Sequence, residues 1–287
     1  MTGGTTGAAP GPDAGPAGRP GPGPGRPAAF FDLDKTIIAR SSTLAFSKPF
    51  QAGGLISRRA VLRSAYAQFV YHVAGADHER MEKMRQLLST LTTGWEVQTV
   101  RDIVAETLHH VVDPLVYDEA VSLIEDHHAA GRDVVIVSAS GSEVVEPIGL
   151  MLGADAVVAT RMQVAEGRYT GRIDYYAYGE NKAAALRDLA ALHGYDLAAS
   201  FAYSDSVTDL GMLEAVGHPV AVNPDRELRR EAESRGWPVL RFTRPVALRR
   251  RVRLPGRGPS TAVATGMAVA VAGAAYLAVR QRRRAAA

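Results

Sequence analysis

An α/β fold built on a parallel sheet is predicted by three observations. Short, uncharged apolar runs recur along the chain. Helix-like segments alternate with them, the pattern of strand–helix–strand units. Both textures occupy residues 28–42 and 131–245 and are interrupted once, by a block at 43–130 that reads as helices throughout.

Residues 1–27 are almost entirely Gly, Pro, Ala and Thr. Such a stretch has too little apolar surface to offset its ordering entropy, and it reads as disordered. It has no charged start followed by an apolar run, so it is not a secretory signal. "AAFFDLD" (28–34) is a short apolar run ending in two acids, read as a buried strand. "RDVVIVSAS" (132–140) is a second strand, its unbroken Val and Ile suiting a sheet covered on both faces. "DAVVAT" (155–160), "SFAYSD" (200–205), "HPVAVN" (218–223) and "WPVLRF" (237–242) are shorter strand candidates. Helices are expected at 142–152, 180–193, 207–216 and 225–235, and "EGRYTGRI" (166–173) reads as a hairpin. Between the first two strands, "ISRRAVLRSAYAQFVYHVA" and "DHERMEKMRQLLSTLT" carry helical patterns, so 43–130 is read as an all-helical cap over the site.

The end of the chain differs again. A basic linker (246–258) leads to "PSTAVATGMAVAVAGAAYLAV" (259–279), which has no charged residue, and "RQRRRAAA" (280–287) follows. About 20 apolar residues span a bilayer, and arginines flank this segment at both ends. It is read as a C-terminal apolar, membrane-anchoring helix, with the catalytic region on the cytoplasmic side and the basic linker meeting anionic lipid headgroups.

Bulk properties bound the function. The chain has 287 residues and a net charge of only +3, so it is not built throughout to bind a polyanion. Arg249, Arg250, Arg251 and Arg253 form a basic patch, but no aromatics interleave it, and no nucleic-acid partner is expected. With no cysteine there is no disulfide, thiolate metal site or cysteine nucleophile. Oligomeric state leaves no trace in the sequence.

The chemistry is concentrated at the ends of the expected strands. Asp32 and Asp34 close the first strand, where ligands bind in open parallel sheets. Two close carboxylates repel each other, and a divalent cation relieves that cost. Ser138, Ala139, Ser140 and Gly141 close the second strand, where a hydroxyl and free amides can cradle phosphate oxygens. "YGENKAAAL" places Lys182 in the first turn of a helix, unfavourable against the helix dipole and better explained by a bound anion. "AYSDSVTDLGML" repeats the opening device, with Asp205 at a strand end and Asp209 four residues on. Each motif alone has an ordinary reading as capping or solvated residues.

Taken in order, Asp–x–Asp, Ser, Lys and Asp–x3–Asp over residues 28–240 resemble the haloacid dehalogenase superfamily, whose core is Rossmann-like. The insert between the first two motifs resembles the cap of its phosphoserine-phosphatase-like branch. The resemblance implies an enzyme, a phosphomonoester hydrolase of a small phosphorylated metabolite. Asp32 would be the nucleophile and Asp34 the acid and base. Mg2+ would be held by the Asp32 carboxylate, the Asp34 carbonyl and Asp205. Ser138, the Ala139 amide and Lys182 would bind phosphate. Thr208 and Asp209 would support them, Asp209 through a metal-bound water or through Lys182. Three departures stand out. Lys35 replaces the usual glycine of D-x-D-G-T. The stretch after Thr36, "IIARSSTLAF", lacks the glutamate with which phosphoserine phosphatases read an amino group. Thr208 stands where their fourth motif has Asn.

Two other classes fit the same residues: a membrane-tethered phosphatase of a lipid phosphate, and a non-catalytic phosphate-binding module. An ion-pump reading of D-K-T fails, because Gly-Thr does not follow and one apolar span builds no transport path. The His109–His110 and His127–His128 pairs point to different helix faces and do not suggest a shared metal. Arg58, Arg59 and Arg63 read as a solvated face of the cap.

Overall fold

The computed structural model describes residues 25–56, 86 and 89–245. Arg58, Arg59 and Arg63, most of the two helical patterns of the insert, residues 1–24 of the N-terminal tail and the whole of 246–287 lie outside the described residues. Among those described, no helix is long and apolar enough to cross a membrane.

Seven strands form one sheet. β1 (Ala28–Phe31), β2 (Asp133–Gly141), β3 (Ala156–Ala165), β5 (Phe201–Ser204), β6 (His218–Val222) and β7 (Val239–Leu240) run parallel, while β4 (Arg168–Tyr175) runs antiparallel at one edge. Their order is β4-β3-β2-β1-β5-β6-β7. The chain therefore starts in the middle, grows outward on one side and returns to grow on the other. The carboxyl end of β1 is where that direction reverses, and such a switch point opens a crevice.

All four residues of β1 are fully buried, as a central strand covered on both faces must be. Its side chains alternate between two cores. Phe31 packs with Val134, Ile136 and Tyr203 on one face. Phe30 packs with Val135, Val137 and Ala202 on the other. The second face is closed by Leu186 of α6 (Glu180–His193), Met212 and Leu213 of α7 (Leu210–Glu214) and Leu228 of α8 (Arg226–Arg235). The first face receives helices from the 43–130 region. These are α1 (Ser42–Ala45), α2 (Ser47–Ala52), α3 (Val97–Val112) and α4 (Asp118–Ala129). Within that region α4 lies against β2, and its Ala120 and Ile124 join the Phe31 core. α5 (Ser142–Leu152) follows β2 directly and packs on α3.

The structure moves several boundaries. The hairpin is longer than 166–173: β3 runs to Ala165 and β4 to Tyr175, joined at Glu166 and Gly167 with φ of 50° and 76°. Positive φ at both turn positions matches the twist of the flanking strands, and Gly167 meets it without cost. The helix expected at 207–216 is a 3-10 turn at Val207–Asp209 followed by a short α-helix, because the first turn is shaped by caps from Ser206 and Asp225. The last strand shrinks from 237–242 to two residues, since β7 pairs only with β6 at the sheet edge.

The adjacent histidines of α4 do part company. His128 pairs with Asp155 at 3.0 Å, whereas His127 is 2% exposed and packs edge-on against Phe31. Arg132 Nε donates to His127 Nδ1 at 2.7 Å, which leaves Nε2–H to donate to the Tyr203 hydroxyl at 2.8 Å. Burial first, and then the Arg132 charge, push the His127 pKa down to about 4. The unfolded chain, with an ordinary histidine, therefore binds one more proton between pH 4 and 6.5. This stability is present above that window and is lost as pH falls through it. Equilibrium urea unfolding should show a decline of up to about 3 kcal/mol over the window, and His127→Phe should flatten that slope.

Candidate active site

β1 ends at Phe31, and the next residue, Asp32, is tied to β5 by its N–H, which donates to the Tyr203 carbonyl at 2.9 Å. Beyond it the chain turns tightly, with the Leu33 carbonyl accepting from the N–H groups of Ile37 and Ile38 at 3.0 and 3.1 Å. Within this turn Lys35 has φ of 65°. That is the left-handed region in which a glycine costs nothing and a side chain costs about 1 kcal/mol. The turn returns Thr36 under the strand end, fully buried, where its hydroxyl donates to Asp32 Oδ2 at 3.3 Å.

Lys182 reaches the same place from the first turn of α6. Its ammonium is 2% exposed and donates to Asp32 Oδ1 at 2.7 Å and to Asp209 Oδ2 at 2.8 Å. The anions that explain a lysine at this helix start are thus the protein's own carboxylates. Burial works against the charge of Lys182, but Asp209 and Asp32 hold the ammonium well above the usual lysine range. Asp209 is fixed in turn by the Ser204 hydroxyl, which donates to the same Oδ2 at 2.7 Å from the end of β5. Of the two tasks expected of Asp209, contact with Lys182 is present.

Burial pushes the Asp32 carboxyl up to about 7, with Lys182 pulling it down and the charges of Asp209 and Asp34 adding to the rise. Asp205 is 8% exposed and is raised well above the carboxylate range, first by burial and next by Asp32. The Lys35 charge opposes that rise. No hydrogen bond to the Asp205 side chain forms among the described residues, although its carbonyl accepts from Asp225 N–H at 2.7 Å.

Asp34 takes its hydrogen bonds from other partners than Lys182. Its Oδ1 accepts from Ser42 N–H at 2.8 Å and its Oδ2 from the Ser140 hydroxyl at 3.1 Å. Burial nevertheless keeps its carboxyl above the ordinary range, against these hydrogen bonds. Ser138 is 1% exposed, and its hydroxyl accepts from Ser140 N–H at 3.2 Å. The β2–β3 ladder breaks between Ser138 and Gly141, and the Ala139 carbonyl is held by the Thr160 hydroxyl at 2.7 Å. Thr208 stands apart from the carboxylates: its hydroxyl donates to Ser206 at 3.1 Å, and it lines a cleft of ≈ 300 Å³ with Tyr178 and Glu180. Ser42 and Ser204 are site-building residues that sequence reasoning passed over. Both are small hydroxyls whose role is set by partners distant in the chain.

The donor set suits a hard divalent cation. Four acids, Asp32, Asp34, Asp205 and Asp209, face two lysines, and the Asp205 carboxylate lacks a donor. Among the described residues no three Asp, Glu, His or Cys side chains make a metal centre by themselves. Two carboxylates and a backbone carbonyl are oxygen donors of the kind Mg2+ takes, alongside waters and substrate oxygens.

With this geometry in hand, the comparisons are direct. A family model described as haloacid dehalogenase-like hydrolase matches residues 29–214. A Streptomyces azureus protein named "Inhibition of morphological differentiation protein" is 64% identical over 90% of this chain and 95% of its own length. A probable phosphatase of Mycobacterium tuberculosis is 58% identical over 90% of both chains. A phosphoserine phosphatase of the same organism is 31% identical over 89% of this chain and 80% of its own. Among solved structures, a protein of unknown function from Bordetella pertussis superposes with a TM-score of 0.66 at 30% identity, over 75% of this chain and 98% of that one. The chain belongs to the haloacid dehalogenase-like hydrolase family.

Proposed function

We propose that this protein is a Mg2+-dependent phosphatase of small phosphorylated metabolites, working through an aspartyl-phosphate. The observation that carries the reading is the contact of Lys182 with both Asp32 and Asp209, made at the end of β1 beside Asp205. It gathers the first, third and fourth motifs into one buried cluster. The naming of a 58% identical relative as a probable phosphatase supports it.

In this reading Asp32 attacks phosphorus, an Asp32–O–P bond forms and the ester P–O bond breaks. Asp34 gives its proton to the departing oxygen, so the alcohol leaves neutral. Asp34, now a carboxylate, takes a proton from water as that water attacks the phosphoenzyme, releasing inorganic phosphate and restoring Asp32. Lys182, Ser138 and the Ala139 amide face the phosphoryl oxygens and offset their charge. Thr36 and Asp209 hold Asp32 and Lys182 in register. A bound Mg2+, held by Asp32, Asp205 and the Asp34 carbonyl, would supply positive charge to the phosphoryl oxygens and keep Asp32 ionised.

The substrate class follows from what is missing as much as from what is present. Residues 37–46 contain no carboxylate to receive an ammonium, so phosphoserine is not the expected substrate. The membrane tether and the lipid-phosphate alternative rest on residues 259–279 alone, and a lysophosphatidate arm in the substrate panel compares them directly.

Hydrolysis of 4-nitrophenyl phosphate should require Mg2+ and cease with EDTA. Asp32→Asn should fall to background, measured by released nitrophenolate. If wild type is as inert as that variant across a broad panel of phosphate esters, the protein is a binding module instead. Lys182→Met should also abolish turnover. Because it strands two buried carboxylates, it should lower unfolding free energy by about 3 kcal/mol in urea titration. Adding Asp209→Asn to it should restore part of that loss, since one stranded charge is then removed.

A further inference from the structure

The reading above leaves one part of the site unused, the hydroxyl cluster around Asp34. Ser140 Oγ donates to Asp34 Oδ2 at 3.1 Å and accepts from Ser42 Oγ at 2.8 Å. Thr43 Oγ1 lies at 3.3 Å from the same Ser140 oxygen. A serine hydroxyl has one proton and two acceptor positions. With its proton committed to Asp34, Ser140 can only accept from Ser42 and Thr43, and the three contacts saturate it. Ser42 is fully buried and Ser140 is 8% exposed, so water does not readily replace either partner. Ser42 acts twice, because its N–H also donates to the other Asp34 oxygen at 2.8 Å.

This arrangement fixes the Asp34 carboxyl in rotation. Each oxygen is held by its own donor, one by a backbone amide at the start of α1 and the other by a hydroxyl from β2. What remains free for a transferring proton is the lone pair turned away from these donors. A carboxyl held in this way offers its proton along one direction, and proton donation to a leaving oxygen depends on that alignment.

We propose that Ser140, oriented by Ser42, is a positioning residue that aligns Asp34 with the leaving-group oxygen, so that it governs how well the enzyme cleaves esters of poor leaving groups. The proposal rests on the phosphatase reading above. It assigns Ser140 no contact with substrate, and it makes the second-strand motif a support for the acid as well as a phosphate cradle.

The test is the leaving-group dependence of kcat/KM for the full chain with Mg2+. This parameter ends with the first irreversible step and so reports phosphoryl transfer to Asp32. Phenyl phosphate needs protonation of its leaving oxygen far more than 4-nitrophenyl phosphate does. Ser140→Ala should lower kcat/KM for phenyl phosphate by about ten- to a hundredfold and for 4-nitrophenyl phosphate by less than about threefold. Ser42→Ala should shift the same ratio in the same direction by a smaller factor, and it carries the test if Ser140→Ala does not fold. Ser140→Thr, which restores the hydroxyl, should recover the ratio. In an Asp34→Asn background Ser140→Ala should leave the ratio unchanged, because the proton it aligns is gone. Equal losses on both esters, or no loss on either, overturn the proposal. If wild type hydrolyses neither ester, the phosphatase reading itself fails, and that result differs from every Ser140-specific one.

Discussion

The ammonium of Lys182, buried between Asp32 and Asp209, is the contact on which the rest of this site depends. Three ionisable groups are removed from water here, with the ammonium at 2.7 Å from Asp32 and 2.8 Å from Asp209. Burial raises Asp32 to about 7 even with Lys182 pulling it down, and it also works against the charge of Lys182, which Asp209 and Asp32 hold protonated. The direct contacts of one ammonium with two carboxyls offset part of the cost of burying it. The fold supplies the three groups from separate places. Asp32 ends the central strand, Lys182 opens α6 on the second face of the sheet, and Asp209 closes the turn after β5. Their meeting requires β1 and β5 to be neighbours in register, which the pairing of Phe31 with Tyr203 provides. The sheet order is thus a condition of the chemistry as well as of the core.

The parallel sheet is buried so completely that its strands announced themselves in the sequence. "AAFF" and "VVIV" are read as central strands because no polar residue interrupts them, and both are. The site acids were legible for a related reason. A carboxylate directly after an apolar strand is ordinary alone, so Asp32 and Asp205 stood out only together with the serine and lysine motifs that share their order along the chain. Lys182 was legible through its conflict with the helix dipole, although the anions that resolve the conflict proved to be side chains of the same protein. Boundaries were poorer where a turn depended on distant caps. Asp225 accepts from Val207 N–H across 18 residues, and nothing between 205 and 212 alone tells a 3-10 turn from an α-helix.

Ser42 and Ser204 were not legible at all. A buried serine has the same appearance as a surface one until its partner is known. Ser204 finds Asp209, and Ser42 finds Asp34 and Ser140, through the tertiary fold. The absence of an acid after Thr36 was readable, whereas the use made of that space was not. Where an amino-group reader stands in phosphoserine phosphatases, this chain runs into a helix start that holds Asp34 from behind.

Lys35 brings the argument back to charge. A lysine at φ of 65° is strained, and glycine there would remove about 1 kcal/mol of cost. One influence that acts alongside the strain is electrostatic. The Lys35 charge is the largest single factor lowering Asp205, ahead of Lys182, in a site where four acids face two lysines. With Lys35 a glycine, Asp205 would lose the larger of the two lysine charges that lower it and would stand raised further by burial and by Asp32. A lysine in this turn therefore favours the ionised form of the carboxylate that has no hydrogen-bond donor of its own. The departure from the family's glycine is consistent with an intact acidic site, because the residue that breaks the local backbone rule also supplies the charge the cluster lacks.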